Sequence, residues 1–239
     1  MTEAYPFNNT RDWRERGFYL RTAPVVIASY DPAGAGDDDD ALVLINREEH
    51  QKGEPHDPDF AVAMKFRVIA AQPMPKGLEF PDKLARLLSL DRQLGSWQRR
   101  GRTSGHFFTV EANGVGWALS SALKDKIGPR VISYTTVGAL NEKPYSGGAI
   151  SMPRLAALDH MRVLLETGHL RMADNAPGGQ LLTSQIGSFV WRRAGRPEAM
   201  EGQHDDLVMA LTGGCWIGSK IVPPVLKSRV YHLPSRRSA

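Results

Sequence analysis

Acidic residues at the borders of apolar segments constrain the fold of this chain more than any other feature. Asp31 and Glu111 each end a short apolar run, and the adjacent Asp205 and Asp206 open a longer one of helix-forming residues. Carboxylates at two strand ends and one helix start can meet at a single edge of an α/β sheet, where ligands usually bind. Because convergent carboxylates repel each other, the sequence predicts divalent cations between them, with Mg²⁺ or Mn²⁺ as the natural candidates.

Composition places the chain in a broad class. Its 239 residues are 41% hydrophobic, which is enough for one large domain with a buried core. No apolar stretch approaches the eighteen or so residues that a membrane span needs, and the polar segment 1–21 does not resemble a signal peptide. Cys215 is the single cysteine, which excludes an internal disulfide framework and a cysteine-based zinc site. We therefore expect a protein of a reducing, intracellular setting with no membrane partner.

Charge is unevenly distributed along the chain. The net charge is +4, but the segment 31–59 contains ten acids and two bases, so the remainder carries +12. One of the basic clusters comprises Arg92, Arg99, Arg100 and Arg102. A basic body around an acidic centre is typical of proteins that bind phosphates, although an ordinary solvated surface has the same composition.

Apolar periodicity and turn residues predict one mixed α/β sheet flanked by helices. The predicted strands are 25–31, 41–46, 60–71, 106–111, 130–134 and a short one at 169–172. The predicted helices are 82–99, 115–127, 153–167, 179–193 and 205–217, and the predicted loops include 47–59 and 135–150. The predicted organisation is an N-terminal extension or linker over 1–22, one domain over 23–219 and a basic tail over 220–239.

Strand parity supports a meeting of the acids. Asp31 shares a strand face with Ser29, and Glu111 shares one with Thr109. If these strands are neighbours with level ends, their carboxylates approach each other and can hold two ions about 3.5–4 Å apart. In this hypothesis Asp31 bridges both ions, Glu111 holds one and Asp205 holds the other.

Other members of the site have competing explanations. Asp206 assists the ion at Asp205 or acts from behind it, although acids in a first helical turn are also common caps. His204 orients the scissile phosphate or a carboxylate, or is only a neighbour of the cap. Asp37 lies near the metals, or belongs with the rest of the acidic run 37–40 to a solvated hairpin turn. The chemistry that fits paired divalent ions is phosphodiester hydrolysis.

Three short motifs resemble a known family. The motifs DPAGAGD at 31–37, VEANGVG at 110–116 and HDDLVMAL at 204–211 are similar to the nuclease motifs of tailed-phage large terminase subunits. The resemblance covers roughly 23–217 and implies a ribonuclease H-like fold and a two-metal-ion endonuclease. It also implies cleavage of double-stranded concatemeric DNA during viral genome packaging. By residue, it gives the metal-ligand role to Asp31, Glu111 and Asp205, with Asp206 in the same motif.

The chain differs from complete large terminases in one respect. It lacks the phosphate-binding motif G-x-x-x-x-G-K-[ST] of their ATPase domain, so we expect it to be the nuclease part alone. The implied partners are then double-stranded DNA, an ATPase motor domain or subunit, the portal and the small terminase subunit, in the host cytoplasm. The family also often has a basic residue before the helix at 153–167, and Arg154 stands in that place, where it would contact phosphate.

Two alternatives remain open from the sequence. One is a Holliday-junction resolvase or another ribonuclease H-like nuclease. The other is a non-catalytic DNA-binding assembly module, in which the acids only cap helices and form turns.

Overall fold

The structure is a computed structural model that describes most of the chain. The described residues are 18–20, 23–33, 39–54, 56–59, 61–75, 77–138, 149–191, 197–199 and 205–220. The predictions for Asp37, His204, most of the loop 135–150 and nearly all of the basic tail fall outside these ranges.

Strands and helices alternate along the second half of the chain, after an antiparallel first half. The strands are β1 Phe18–Leu20, β2 Val25–Asp31, β3 Ala41–Lys52, β4 Ala61–Pro73, β5 Gly105–Glu111, β6 Val131–Val137, β7 Ile150–Pro153, β8 Leu170–Met172, β9 Phe189–Trp191 and β10 Pro197–Ala199. The helices are α1 Phe80–Arg99, α2 Gly116–Ile127, α3 Arg154–Glu166, α4 Gly179–Ser188 and α5 Asp206–Lys220.

Eight strands form one mixed sheet in the order β7-β6-β5-β2-β3-β4-β8, with β1 paired to β3 outside this path. Strand β3 is antiparallel to β2 and β4, whereas β2, β5, β6 and β7 run parallel to one another. The predicted mixed α/β architecture is confirmed. Strand β1 lies within the segment that was predicted to be an extension, and the domain limits at 23 and 219 stay a prediction.

Helices cover both faces of the sheet. One apolar core lies between the sheet and α3, α4 and α5, and a second core lies between the sheet and α1 and α2. Alternation along β2 explains this division, since Ile27 belongs to the first core and Val26 and Ala28 belong to the second. Helix α5 is enclosed on all sides, because every residue from Leu207 to Gly218 is buried.

The strand directions bring helix N-termini to one edge of the sheet. Strands β2 and β5 end at this edge, level with the end of β4 at Pro73. Helices α1, α2 and α3 each begin soon after a strand that ends there. The amides of the first helical turns make such an edge favourable for negative charge. We call it the carboxyl edge.

Three sequence-based assignments were wrong in extent. Strand β3 continues to Lys52, so the first half of the predicted loop 47–59 is strand, paired in register with β4 as far as Ala61. Strand β6 includes the first residues of the predicted loop 135–150, and strand β7 begins at its last residue. Helix α4 ends at Ser188 rather than 193, and a short strand follows it. Among the described helices, none is long and apolar enough to cross a membrane.

Candidate metal centre at the carboxyl edge

Asp31 and Glu111 lie side by side at the carboxyl edge. Strands β2 and β5 are parallel neighbours, and Ser29 pairs with Thr109 in their register. The Thr109 hydroxyl donates to the Ser29 hydroxyl oxygen at 2.8 Å, so these residues face the same side. Two positions further along the strands, Asp31 and Glu111 share this face, and the charge of Glu111 is the first cause after burial of the raised pKa of Asp31.

Helix α5 brings the other two acids to this pair. It packs closely on β2, where the Ser29 hydroxyl donates to the carbonyl oxygen of Ala210 at 2.5 Å. Asp205 and Asp206 at its N-terminal end therefore reach the strand ends. We call Asp31, Glu111, Asp205 and Asp206 the acidic group.

Mutual repulsion within the acidic group has a measurable consequence. The pKa of Asp31 is raised well above its ordinary value, first by burial, then by the charge and hydrogen bond of Glu111, and then by the charges of Asp206 and Asp205. The same field acts on Tyr134, whose pKa is raised by burial and by the nearby Glu111 and Asp31. Four acids from three separate parts of the chain thus act on one another electrostatically.

The acids of the group have further partners. Asn113 donates its side-chain amide to Glu111 Oε1 at 2.6 Å. Arg154, at the start of α3, donates to Asp205 Oδ2 at 3.0 Å. The backbone N–H of Asp39 donates to Asp206 Oδ2 at 3.2 Å. Among the described residues, no three acid, histidine or cysteine side chains are already arranged as a ligand set. A metal ion would therefore have to draw these carboxylates from their present partners.

The start of α5 shows that Asp205 does more than cap a helix. The backbone N–H of Leu207, in the first turn, donates to the side-chain oxygen of Gln185 on α4 at 3.1 Å. The carboxylate of Asp205 is turned to Arg154 instead. Asp205 therefore does not cap the amide of Leu207, and its carboxylate binds Arg154 while its charge acts on Asp31.

The described acids of the 37–40 run are held by specific contacts. Asp40 is 5% exposed, contacts the Lys83 ammonium at 2.9 Å and accepts a hydrogen bond from the backbone N–H of Ala33. The solvated turn that the sequence predicts is therefore wrong for Asp40. This residue anchors the turn after β2 to the first turn of α1, beside the acidic group.

Sequence reasoning missed Asn113, Gln185 and Lys83 as supporting residues. Asn113 carried a signal, because it lies two positions after Glu111 in a turn. Gln185 and Lys83 carried none, because each meets its partner only through the packing of a helix that is remote in sequence.

The donor set fits a hard divalent cation. Its side chains offer carboxylate oxygens, which Mg²⁺ and Mn²⁺ prefer, and the described part of the group contains no sulfur or imidazole ligand. The raised pKa of Asp31 indicates that the group lacks enough positive charge, which such an ion would supply.

Comparison with solved structures identifies the fold. The nuclease domain of the human cytomegalovirus terminase, soaked with Mn and bound to an inhibitor, has a TM-score of 0.52 at 12% identity, over 81% of this chain and 82% of that one. A second structure of that domain has a TM-score of 0.50 at 11% identity, over 88% of each chain. This chain has the fold of a terminase nuclease domain.

A further comparison has a lower TM-score. The large terminase nuclease of the thermophilic phage G20c, with bound cobalt, has a TM-score of 0.49 at 15% identity, over 84% of this chain and 87% of that one. No protein-family model and no curated protein matches the sequence. The two cytomegalovirus comparisons confirm the predicted fold.

Proposed function

We propose that this chain is a divalent-metal-dependent endonuclease that cuts double-stranded concatemeric DNA during viral genome packaging. The observation that carries the proposal is the convergence of the acidic group at the carboxyl edge, where burial and then the charges of Glu111, Asp206 and Asp205 raise the pKa of Asp31. The fold shared with the cytomegalovirus nuclease domain, whose structure was obtained after soaking with Mn, supports the same assignment.

Each member of the acidic group has a position that suits ligation. Asp31 lies beside Glu111 and within the electrostatic reach of Asp205 and Asp206, so it is the natural bridge between two ions. Glu111 on the neighbouring strand β5 and Asp205 at the start of α5 would hold one ion each, with Asp206 assisting. Two ions held by these residues would supply an activated water and stabilisation of the leaving oxygen for phosphodiester hydrolysis.

The residues around the acidic group orient its carboxylates or would contact the phosphate. Asn113 fixes one oxygen of Glu111, and Gln185 binds the amide of Leu207 at the start of α5. Arg154 neutralises Asp205 and, once released from it, is placed to contact the scissile phosphate. His204 directly precedes Asp205 in the sequence, and Asp37 follows β2. We propose that both support the site from behind the metal ligands or through a phosphate contact.

The biological setting follows from the same proposal. The resemblance of the three motifs to tailed-phage large terminase subunits implies an ATPase motor domain or subunit, the portal and the small terminase subunit as partners, and the host cytoplasm as the location. We propose these partners and this location for the chain, on the strength of the three motifs and the shared fold.

Cleavage of supercoiled plasmid in Mn²⁺ or Mg²⁺ tests the activity. We expect Asp31→Ala and Glu111→Ala each to lower the rate at least about 100-fold, since even residues behind metal ligands contribute 10- to 100-fold. Asp125→Ala, an exposed acid near the far end of α2, is the matched control and should cleave like the parent. Parental activity in Asp31→Ala, or preference for four-way junctions over linear duplex, would contradict the proposal.

Stability without metal provides a second readout. The folded pKa of Asp31 is raised above its unfolded value, so its contribution to the unfolding free energy falls as pH rises from about 4 through the folded pKa. We therefore expect Asp31→Asn to be more stable than the parent at pH 8 without metal, because the variant has no charge to bury there. Urea denaturation in EDTA measures this, and Mn²⁺ should stabilise the parent but not the variant.

A further inference from the structure

The solvent-facing side of α1 carries a row of arginines. Arg86, Arg92, Arg99 and Arg100 are all exposed, and at 3.6 residues per turn they fall within about 140° of the helix surface. We call these four residues the arginine row. The exposed positions between them are small or uncharged, such as Ala85, Ser89 and Gln93.

Acids do not neutralise the arginine row. Within the described ranges, none of its four guanidinium groups forms an ion pair, whereas the exposed Arg162 on α3 is within 3.2 Å of Asp159. Helix α1 contains two acids. Asp82 lies in its first turn, and Asp91 is turned inward, within 2.8 Å of both His106 and Arg130. The outer face of α1 thus has a clear positive excess.

The helix dipole does not explain this arrangement. Cations are favoured in the last turn of a helix, which accounts for Arg99 and Arg100. Arg86 and Arg92 lie in the second and fourth turns, where that effect has faded. Stabilisation of α1 by its dipole therefore does not explain the position of Arg86 and Arg92 in the arginine row.

Contacts connect the first turn of α1, just before the arginine row, to the acidic group. The backbone N–H of Asp39 donates to Asp206, and the next residue, Asp40, binds Lys83 in the first turn of α1. The row begins one turn further along the helix, at Arg86. It then leads away from the carboxyl edge for about 21 Å, at 1.5 Å per residue.

We propose that the arginine row binds the phosphate backbone of the duplex that flanks the cleavage point, and this inference rests on the proposed nuclease function. A length of about 21 Å corresponds to about six base pairs at 3.4 Å each. Unpaired guanidinium groups suit phosphate oxygens, with which they form bidentate hydrogen bonds. Contacts of this kind hold DNA without reading its sequence.

Binding of a labelled 30-base-pair duplex in EDTA, followed by fluorescence anisotropy between 50 and 200 mM NaCl, tests the inference. The slope of log K against log[salt] is negative, and we give it here as its absolute value. Each lost phosphate contact lowers that value by about 0.9. We expect Arg86→Gln/Arg92→Gln/Arg99→Gln to lower that slope by about two to three and to weaken binding about tenfold or more at 100 mM NaCl. The single variant Arg92→Gln should lower the slope by about one.

A matched control separates position from net charge. Lys65→Gln/Arg162→Gln/Arg171→Gln removes the same charge from β4, α3 and β8, and it should keep the parental slope. Equal losses in the two triple variants, or a parental slope in the arginine-row variants, would overturn the inference. A parental slope in the arginine-row variants would indicate that the row binds a partner other than DNA. Thermal melts establish that each variant folds.

The two proposals fail in different ways. Because the arginine row lies outside the acidic group, its triple variant should keep Mn²⁺-dependent cleavage at saturating DNA and need more DNA to reach it. A parent protein that binds DNA through the row but cuts nothing in any divalent metal would refute the nuclease alone. A parent that cuts DNA with no dependence on the row would refute the row alone.

Discussion

Arg154 binds the carboxylate of Asp205, which a metal ion would need as a ligand. Its guanidinium donates to Asp205 at 3.0 Å, and about a third of its side chain is exposed. In the metal-free protein it offsets part of the repulsion within the acidic group. A divalent ion must compete with this contact, so Arg154 both stabilises the empty site and opposes its filling.

Replacing Arg154 should therefore separate metal affinity from stability. We expect Arg154→Gln to bind Mn²⁺ about tenfold more tightly, because a positive charge a few ångströms from the ion is removed. The same variant should melt at a lower temperature in EDTA, since Asp205 loses its partner. Isothermal titration of metal-free protein gives the affinity, and Arg162→Gln on the same helix is the control. Weaker or unchanged Mn²⁺ binding would contradict this role.

Single residues also show what the sequence could and could not predict about the site. The two-residue strand period and the apolar runs predict that Asp31 and Glu111 share one face, and the register of β2 and β5 agrees. The partner of the α5 start could not be predicted in this way. Gln185 binds the amide of Leu207 only because α4 packs beside α5, and no local pattern specifies which polar side chain meets that amide.

Among the elements, α5 positions half of the acidic group through its fit against the sheet. A Cβ atom added at Gly213 would lie 2.2 Å from the Tyr134 hydroxyl and 2.4 Å from the ring carbon that bears it. Tyr134 is fully buried in β6, so it has little freedom to move. The absence of a side chain at this position lets α5 pack closely on β6, which pairs with β5, the strand that carries Glu111.

A methyl group at Gly213 should separate these elements. We expect Gly213→Ala to lower the unfolding free energy by about 2 kcal/mol or more, the typical cost of overpacking. Gly95→Ala in α1 is the matched control, because its Cβ would make only ordinary contacts, with Arg99 Nη1 at 3.6 Å and His106 Cε1 at 4.0 Å. That control should gain up to about 1 kcal/mol from helix propensity alone. Urea denaturation measures the free energy of unfolding of both variants. Equal changes would show that α5 can accommodate a methyl group at Gly213.

Strand β3 shows where element prediction fails. Its second half is rich in charged residues, which indicates a loop when only composition is considered. In the folded chain this half pairs with β4 on one side and with β1 on the other. Its charges find partners across the sheet, as when Arg67 contacts Glu48 at 2.6 Å. Polarity predicts exposure, whereas the strand conformation here is set by pairing between distant segments.

Across the whole molecule, the acidic group joins parts of the chain that are far apart in sequence. Its members come from the ends of β2 and β5 and from the start of α5, which together form the centre of the fold. An ion held there binds only the folded chain, since an unfolded chain does not bring these carboxylates together. The free energy of binding is then added to the stability of the entire domain.

Hydrogen exchange should reveal this coupling. At a Mn²⁺ concentration of 100 times Kd we expect about 2.7 kcal/mol of added stability, which slows exchange by about 100-fold at amides that open only by global unfolding. Peptides from the centres of β2 and β5 should show it, although their amides lie away from the ligands. The end of α1 near Arg99 frays locally and should exchange at an unchanged rate. Asp31→Ala should abolish the slowing, and protection confined to the residues around the ions would show that the site is not coupled to the fold.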